Sequence, residues 1–429
     1  MPEFKTQAPQ GSARWWAVLG PGILFASTAI GVSHLVQSTR AGAIAGFGLL
    51  WAVVAANVAK YPFFEFGSRY ANATGESLIE GYRRLGKPAA WTYFLIASGT
   101  CIFVMGAVGI VTAAFLDNLF SVSQTLEFNA TPGLAVLVLG SSSALLSLGE
   151  YRALDSVIKL IAGVLLVSTV GAFVMAVQHT SISEVPPMPA EFDPWSGAGF
   201  AFIIALMGWM PTAVDLSTWN SIWTLERIKQ TGYHPPLQAT LREFNFGYWA
   251  SAVLAILFLS MGALLLFARD ATLPEGTAAF ASGVVNMYTA IIGNWSWWLI
   301  AAAAFSAMLG TCIACLDGYG RALARSFFSL RNADQRRSLH QAERTTLFIV
   351  TGGALMLILA FPSDIRTLVD IATTLSFLVA PVVAGANWYL VSRHSFPGAA
   401  RPPRWLHVLA ALGMLFLIGF TGMYFVALN

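Results

Sequence analysis

Long apolar stretches alternate with short polar segments along the whole chain, and they recur eleven times. A helix of about 20 apolar residues is long enough to cross the hydrocarbon core of a bilayer. The predicted spans are residues 15–42, 46–70, 89–116, 132–149, 155–178, 196–225, 245–268, 293–320, 345–361, 367–391 and 403–427. The pattern therefore predicts an all-α polytopic membrane protein with 11 transmembrane helices.

Two of these spans are interrupted in the middle. Residues 31–33, Gly-Val-Ser, break span 1, and His34 follows directly. The segment "GWMPT" at 208–212 breaks span 6, where Pro211 cannot donate a hydrogen bond to the helix. Irregular backbone survives at membrane depth only where it lines a protein cavity or water. Broken helices five spans apart therefore predict an inverted-repeat transporter with its substrate site near the bilayer midplane.

Lysine and arginine are distributed unevenly between the two sides of the predicted bundle. With the N-terminus inside, twenty lie on the cytoplasmic side, three (Arg40, Arg269 and Arg366) lie outside, and Lys60 falls within span 2. Under the positive-inside rule, this bias predicts a cytoplasmic N-terminus and an external C-terminus. Residues 1–14 are then a cytoplasmic tail, and the expected location is a bacterial inner membrane.

Composition agrees with a membrane protein and narrows the possible functions. Only 10% of the residues are charged and 56% are hydrophobic, whereas soluble chains carry about 25% charge. No nucleophile–base pair, metal cluster or phosphate-binding loop is recognisable, so neither an enzyme nor a bound cofactor is expected. The expected partners are the lipid bilayer and a small inorganic ion, with no nucleic acid, and the chain is expected to act as a monomer.

The first two spans resemble the start of the NRAMP (natural resistance-associated macrophage protein) metal-ion transporters. The shared marks are Gly20-Pro21, Ala41-Gly42-Ala43, "LLW" at 49–51, Ala56-Asn57 and "ATGESL" at 73–78. A weaker similarity extends through Met210-Pro211 and "LSFLVAP" at 375–381. The resemblance implies a LeuT-type fold with a 5+5 inverted repeat, and secondary transport by alternating access. It divides the chain into a first five-helix repeat at 15–180, a second at 181–392 and an eleventh helix within 393–429.

The residues that bind metal in that family are largely replaced here. In an ungapped alignment, the family's Asp-Pro-Gly-Asn break falls on Gly31, Val32, Ser33 and His34. In span 6 the methionine is retained as Met210, but Thr212 replaces the family's histidine. A dehydrated divalent cation needs oxygen or nitrogen ligands, usually with at least one negative charge among them. The sequence therefore predicts a divergent member that has lost the transition-metal site.

The same pocket offers groups that favour an anion or a neutral molecule. The half-helices that follow the two breaks present free N–H groups and the positive ends of their dipoles. Ser33, Thr212 and His34 add hydroxyl and imidazole donors. We therefore assign the substrate site to Gly31, Val32, Ser33, His34, Trp209, Met210, Pro211 and Thr212. A structural packing role remains open for His34 and Trp209.

Four further polar residues are candidates for coupling or gating. Lys60 and Asp215 are ionisable residues within spans, and such residues are functional by default. Asp215 is expected to face the pocket, cap a helix start or pair with Lys60, and Lys60, which lies five residues before Glu65, alternatively snorkels. By analogy with LeuT-type folds, Ser306 and Thr311 in span 8 would help to hold sodium. The coupling ion expected is sodium or a proton.

The sequence favours a secondary transporter of a small anion, with bicarbonate as the preferred substrate. Bicarbonate is compact and planar, and it suits a pocket with a few hydroxyl and imidazole donors. The alternative is a divalent-metal carrier that binds partly hydrated magnesium or manganese through Met210 and backbone carbonyls. A non-transporting receptor on the same fold is a third hypothesis and ranks last.

Overall fold

Long helices account for most of the described chain. The computed structural model describes residues 20–148, 151–180, 182–271, 273–274, 276–331, 336–361 and 365–427, so the predicted tail at 1–14 lies outside the described residues. In chain order the helices are α1 Pro21–Ala29, α2 Thr39–Ala45, α3 Leu50–Thr74, α4 Leu78–Leu85, α5 Lys87–Phe120, α6 Val122–Leu126, α7 Thr131–Leu148, α8 Tyr151–His179, α9 Gly197–Gly208, α10 Ser217–Thr231, α11 Leu237–Leu265, α12 Thr277–Ile292, α13 Trp297–Arg331, α14 Arg336–Ala360, α15 Ile365–Ser392 and α16 Arg404–Ala427.

Helices lie at all eleven predicted span positions within the described residues. Seven of them are long and apolar enough to cross a membrane unaided, namely α5, α7, α11, α13, α14, α15 and α16. Spans 1 and 6 are each divided into two shorter helices, α1 with α2 and α9 with α10. Helix α3 is long but carries Lys60, Glu65 and Arg69, which lower its mean hydropathy.

The residues between predicted spans 7 and 8 form an additional apolar helix that the sequence analysis did not predict. This helix, α12, contacts α5, α8 and α13. Its 16 residues give it a length of about 24 Å, which is shorter than the hydrocarbon core of a bilayer. Helix α12 is therefore a supporting element beside the spans.

The two halves of span 1 lie along α11. Glu243 of α11 accepts hydrogen bonds from the backbone N–H groups of Gly20 (2.9 Å) and Gly22 (2.8 Å) at the start of α1. A carboxylate at this end of a helix satisfies free N–H groups and interacts favourably with the helix dipole. Glu243 therefore fixes the start of α1 to α11. We name the side on which α1 begins the inner side, and the side on which α2 ends the outer side.

Helix α2 approaches α11 so closely that their backbones touch. A Cβ atom on Gly42 would collide with the carbonyl oxygen of Leu259, and one on Gly262 would collide with the carbonyl oxygen of Thr39. Glycines at such positions let membrane helices pack at short distance, where dispersion forces are strongest. The outer half of span 1 is thereby held against α11 without any side chain between them.

We predict that the Gly42→Ala variant is less stable than the wild type, because the added methyl group forces α2 away from α11. Overpacking of this kind costs about 1–3 kcal/mol, so the melting temperature in detergent should fall by about 3 °C or more. Gly140→Ala in α7 is the matched control, since a Cβ there meets nothing within 4 Å. Equal melting temperatures for the two variants would contradict the described contact.

Candidate functional site

The break in span 1 is a short irregular segment followed by a π-helical turn. Helix α1 ends at Ala29, and residues Ser33–Ser38 form the π-helical turn that leads into α2. Side chains take up two of the carbonyl groups near the break. The Ser33 hydroxyl donates to the Ala29 carbonyl, and the Thr311 hydroxyl of α13 donates to the Ser27 carbonyl at 2.8 Å. These contacts satisfy backbone groups that have no water available at this depth.

Thr311 also occupies the space beside Gly31. A Cβ atom on Gly31 would lie 2.5 Å from the Thr311 hydroxyl oxygen and 2.7 Å from its methyl carbon. Any larger residue at position 31 would therefore displace Thr311 from the Ser27 carbonyl. A neutral threonine therefore fills the space that a carboxylate side chain at position 31 would need.

His34 points away from the break and towards α11. Its Nε2 atom lies 2.8 Å from the Ser251 carbonyl oxygen, and its Nδ1 atom lies 2.7 Å from the Ser33 hydroxyl oxygen. The ring meets Phe258 edge-on at a centroid distance of 6.3 Å, and His34 is fully buried. Both ring nitrogens thus have partners within the protein. In this conformation His34 joins span 1 to α11, which is the packing role that the sequence analysis left open.

The break in span 6 carries a buried positive charge. Helix α9 ends at Gly208, and a short 3₁₀ turn at Val214–Leu216 precedes α10. The Lys60 Nζ atom of α3 lies 2.6 Å from the Met207 carbonyl oxygen, 2.7 Å from that of Gly208 and 3.3 Å from that of Thr212. An ammonium group has three N–H donors, and these contacts use all three. Lys60 therefore binds the C-terminal end of α9, where the helix dipole favours a cation.

Asp215 lies at the start of the second half of span 6 and is also buried. One carboxylate oxygen accepts a hydrogen bond from the Thr100 hydroxyl at 3.3 Å, and the other has no partner. Asp215 and Lys60 interact electrostatically across the break, although Lys60 contacts only the carbonyl groups. Glu65 pairs instead with Arg69 at 2.5 Å. The ion pair between Lys60 and Asp215 that the sequence suggested is therefore not formed in this conformation.

Some of the remaining predicted site residues lie between the two breaks, and others face neighbouring helices or the core. The Ser38 hydroxyl lies 3.7 Å from the Met210 sulfur, so these side chains link the two broken spans. The Trp209 indole donates to the Ser376 hydroxyl at 2.9 Å and so faces α15. Val32 is part of the buried core, and the peptide bond between Met210 and Pro211 is cis. Ser306 is partly buried on α13, and Thr311 of the same helix donates to the Ser27 carbonyl of span 1.

Three polar side chains connect the outer end of span 1 to α15. Arg40 forms an ion pair with Asp370 at 2.8 Å, and Gln37 hydrogen-bonds to both of them. A cavity of about 940 Å³ lies directly outside this cluster, lined by residues of α2, α9, α15 and the segment before α9. Sequence reasoning missed the cluster. The indication of this cluster in the sequence is the spacing of Gln37 and Arg40, which puts both side chains on one face of the helix.

Few conventional metal ligands surround the breaks. Within the described ranges, no group of three or more histidine, cysteine, aspartate or glutamate side chains is placed to hold a metal ion. Met210 offers a soft thioether, and the carbonyl groups at the end of α9 are already bound by Lys60. The polar groups at the breaks are therefore neutral hydroxyl groups, one thioether, the bound ammonium group of Lys60 and the carboxylate of Asp215.

The family model described as natural resistance-associated macrophage protein-like, or Nramp, matches residues 22–427. The chain belongs to the Nramp family. It is a member of a transporter family and a multi-pass membrane protein, as its helices and its relatives agree. This membership confirms the resemblance found in the first two spans.

Similar proteins extend the comparison along the whole Nramp chain. Uncharacterized protein PM0681 of Pasteurella multocida is 36% identical over 95% of this chain and 91% of its own length. A divalent metal cation transporter MntH of Chromohalobacter salexigens is 25% identical, over 44% of this chain and 42% of its own. The structure of a manganese transporter from Eremococcus coleocola matches with a TM-score of 0.72 and 13% identity, covering 98% of this chain and 89% of that one. The predicted LeuT-type fold is thereby confirmed.

We predict that His34→Ala lowers the melting temperature, because it removes the donor to the Ser251 carbonyl and leaves a cavity beside Phe258. The expected loss is about 1–3 kcal/mol, measured by thermal unfolding in detergent. His340→Ala is the control, since the His340 side chain is 83% exposed. An unchanged melting temperature together with a complete loss of transport would instead favour the substrate role predicted from the sequence.

Proposed function

We propose that the protein is a secondary transporter that carries a small inorganic anion by alternating access, with bicarbonate as the first substrate to test. The observation that carries this proposal is the Lys60 ammonium group, fixed at the break of span 6 by three carbonyl groups. A positive charge at this position raises the energy of a dehydrated divalent cation nearby and lowers that of an anion.

The break of span 1 lacks a carboxylate side chain, and this also supports a negatively charged substrate. Gly31 has no side chain, and Thr311 fills the adjacent space. Hydroxyl groups are available as donors to an anion. The Ser38 hydroxyl is engaged only with the weak acceptor sulfur of Met210, and Thr212 lies at the other break.

We further propose that Asp215 takes part in coupling the cargo to a proton or to sodium. One of its carboxylate oxygens is buried without a partner, so it can accept a proton or contribute one ligand to a monovalent cation. The bias of lysine and arginine supports a cytoplasmic N-terminus in a bacterial inner membrane. Within that orientation, the cavity outside the Arg40–Asp370 ion pair faces the periplasm.

A second candidate function is transport of a divalent metal cation. Two observations favour it. The Met210 thioether remains at the break opposite Ser38, and curated relatives of this Nramp protein are divalent metal cation transporters. Because the described residues offer no carboxylate cluster, the cargo in this case would be a partly hydrated magnesium or manganese ion, held through Met210 and through its own water molecules.

Uptake into proteoliposomes separates the two candidates. We expect saturable uptake of labelled bicarbonate above the level of protein-free liposomes, and no saturable uptake of manganese or magnesium. Thr212→Val should reduce bicarbonate uptake about tenfold, because it removes a hydroxyl donor to a charged cargo at nearly constant volume. The variant and the wild type are both tested with and without sodium and proton gradients.

Methionine variants provide the decisive control. Met210→Ala should reduce bicarbonate uptake much less than Thr212→Val does, because a thioether donates no hydrogen bond to an anion, and Met356→Ala, whose side chain lies exposed on α14, should leave the uptake unchanged. Saturable manganese or magnesium uptake that Met210→Ala abolishes and Met356→Ala preserves would overturn the anion proposal in favour of the second candidate.

A further inference from the structure

The surroundings of the Lys60 ammonium group resemble those of a bound cation more than those of an ion pair. Three carbonyl oxygens lie within 2.6–3.3 Å of Nζ. The Phe377 ring presents its face at 5.9 Å, a distance at which the ring quadrupole attracts a cation. Carbonyl oxygens arranged around one point are what membrane proteins use to replace the hydration shell of a monovalent ion.

Two simpler roles for Lys60 do not fit its position. Snorkelling would carry the ammonium group towards lipid headgroups and water, but Lys60 is fully buried and Nζ is bound to backbone between α9 and α10. Pairing with Glu65 is excluded in this conformation because Glu65 holds Arg69 through two hydrogen bonds. The ammonium group is therefore held by the helix break itself.

We propose that the break of span 6 is a monovalent-cation site that the Lys60 ammonium group occupies permanently as a tethered ligand. Asp215 supplies the long-range negative charge that offsets this cation. The lysine ammonium group thus takes the place of a free ion, and its covalent tether keeps it at the site whatever the salt outside. This inference does not depend on which ion the protein carries.

Truncation of the side chain should convert the occupied site into a binding site for free cations. Lys60→Ala leaves the three carbonyl oxygens and the Phe377 face around an empty volume. Ammonium and methylammonium are the ligands of matching chemistry, because they supply N–H donors and a positive charge. Tetramethylammonium carries the same charge but no N–H donor, so it separates hydrogen bonding from charge alone.

The test is thermal stability of the purified full-length protein, measured against each chloride salt at matched ionic strength. Lys60→Ala should melt below wild type, and ammonium or methylammonium should raise its melting temperature saturably by about 3 °C or more. Tetramethylammonium should have no such effect. Saturable stabilisation by potassium or sodium chloride would also support a monovalent-cation site.

Three controls make the result specific to the site. Wild type should not respond, because Lys60 already fills the site. Lys60→Met should not respond, because its side chain fills the same volume without charge. Asn57→Ala, a buried change one turn earlier whose amide donates only to the Val53 carbonyl, should not respond either. A response shared by all four proteins, or absent from Lys60→Ala, would overturn the proposal.

The proposal can still be tested if Lys60→Ala does not fold. Lys60→Ser leaves the same space and offers a hydroxyl group to the freed carbonyls, so it provides a second variant for the same measurement. If neither variant is recovered in sodium-free buffer, both should be recovered when expressed and purified with methylammonium. Aggregation of both in every salt would contradict a site that free cations can fill.

Discussion

Backbone groups released by the two helix breaks need hydrogen-bond partners at a depth that offers no water, and the rest of the site follows from how they find them. At span 6, the ammonium group of Lys60 binds the carbonyl groups that end α9. At span 1, the hydroxyl groups of Ser33 and Thr311 bind carbonyl groups of α1. Each unsatisfied group would cost several kcal/mol in hydrocarbon, so these side chains are required wherever the breaks exist.

This solution determines the electrostatic character of the centre. A lysine brings a full positive charge to one break, whereas the threonine at the other break brings none and excludes a carboxylate from position 31. Asp215 contributes one negative charge, and it lies beside Thr100 at the start of the second half of span 6. The centre of this Nramp protein thus contains two ionisable side chains of opposite sign, Lys60 and Asp215.

The sequence predicts the bundle well because apolar length is a local property. Each described span lies where a run of apolar residues predicts it, and the two breaks coincide with a Gly-Val-Ser segment and a proline-containing segment, both of which weaken a helix. Helix α12 was missed because Ser282 and Asn286 interrupt its apolar run, and because its supporting position depends on its neighbours. The general position of the site was also predictable, since broken backbone is tolerated at membrane depth only beside a protein cavity or water.

Contacts within the site were much harder to predict, because they depend on direction and on backbone partners. The π-helical turn after Ser33 sets the direction of His34, and no residue type marks such a turn in advance. Lys60 was recognised as important, yet its partners are carbonyl groups, which every residue possesses and which carry no signature in the sequence. The sequence gives one indication of Thr311, which is Gly31 opposite it. A glycine has no side chain, and its presence at a helix break indicates a close neighbour.

The same contacts define what a transport cycle must release. Span 1 is held at its inner end by Glu243, which binds the first N–H groups of α1, and at its outer end by Asp370, which binds Arg40. The two anchors belong to different helices, α11 and α15. Charge-assisted hydrogen bonds of this kind are worth about 1.5–3 kcal/mol each, so neither end moves without a compensating interaction. Both half-helices also pack on α11, so the Arg40–Asp370 ion pair gives the outer half an additional tie to α15 that the inner half does not share.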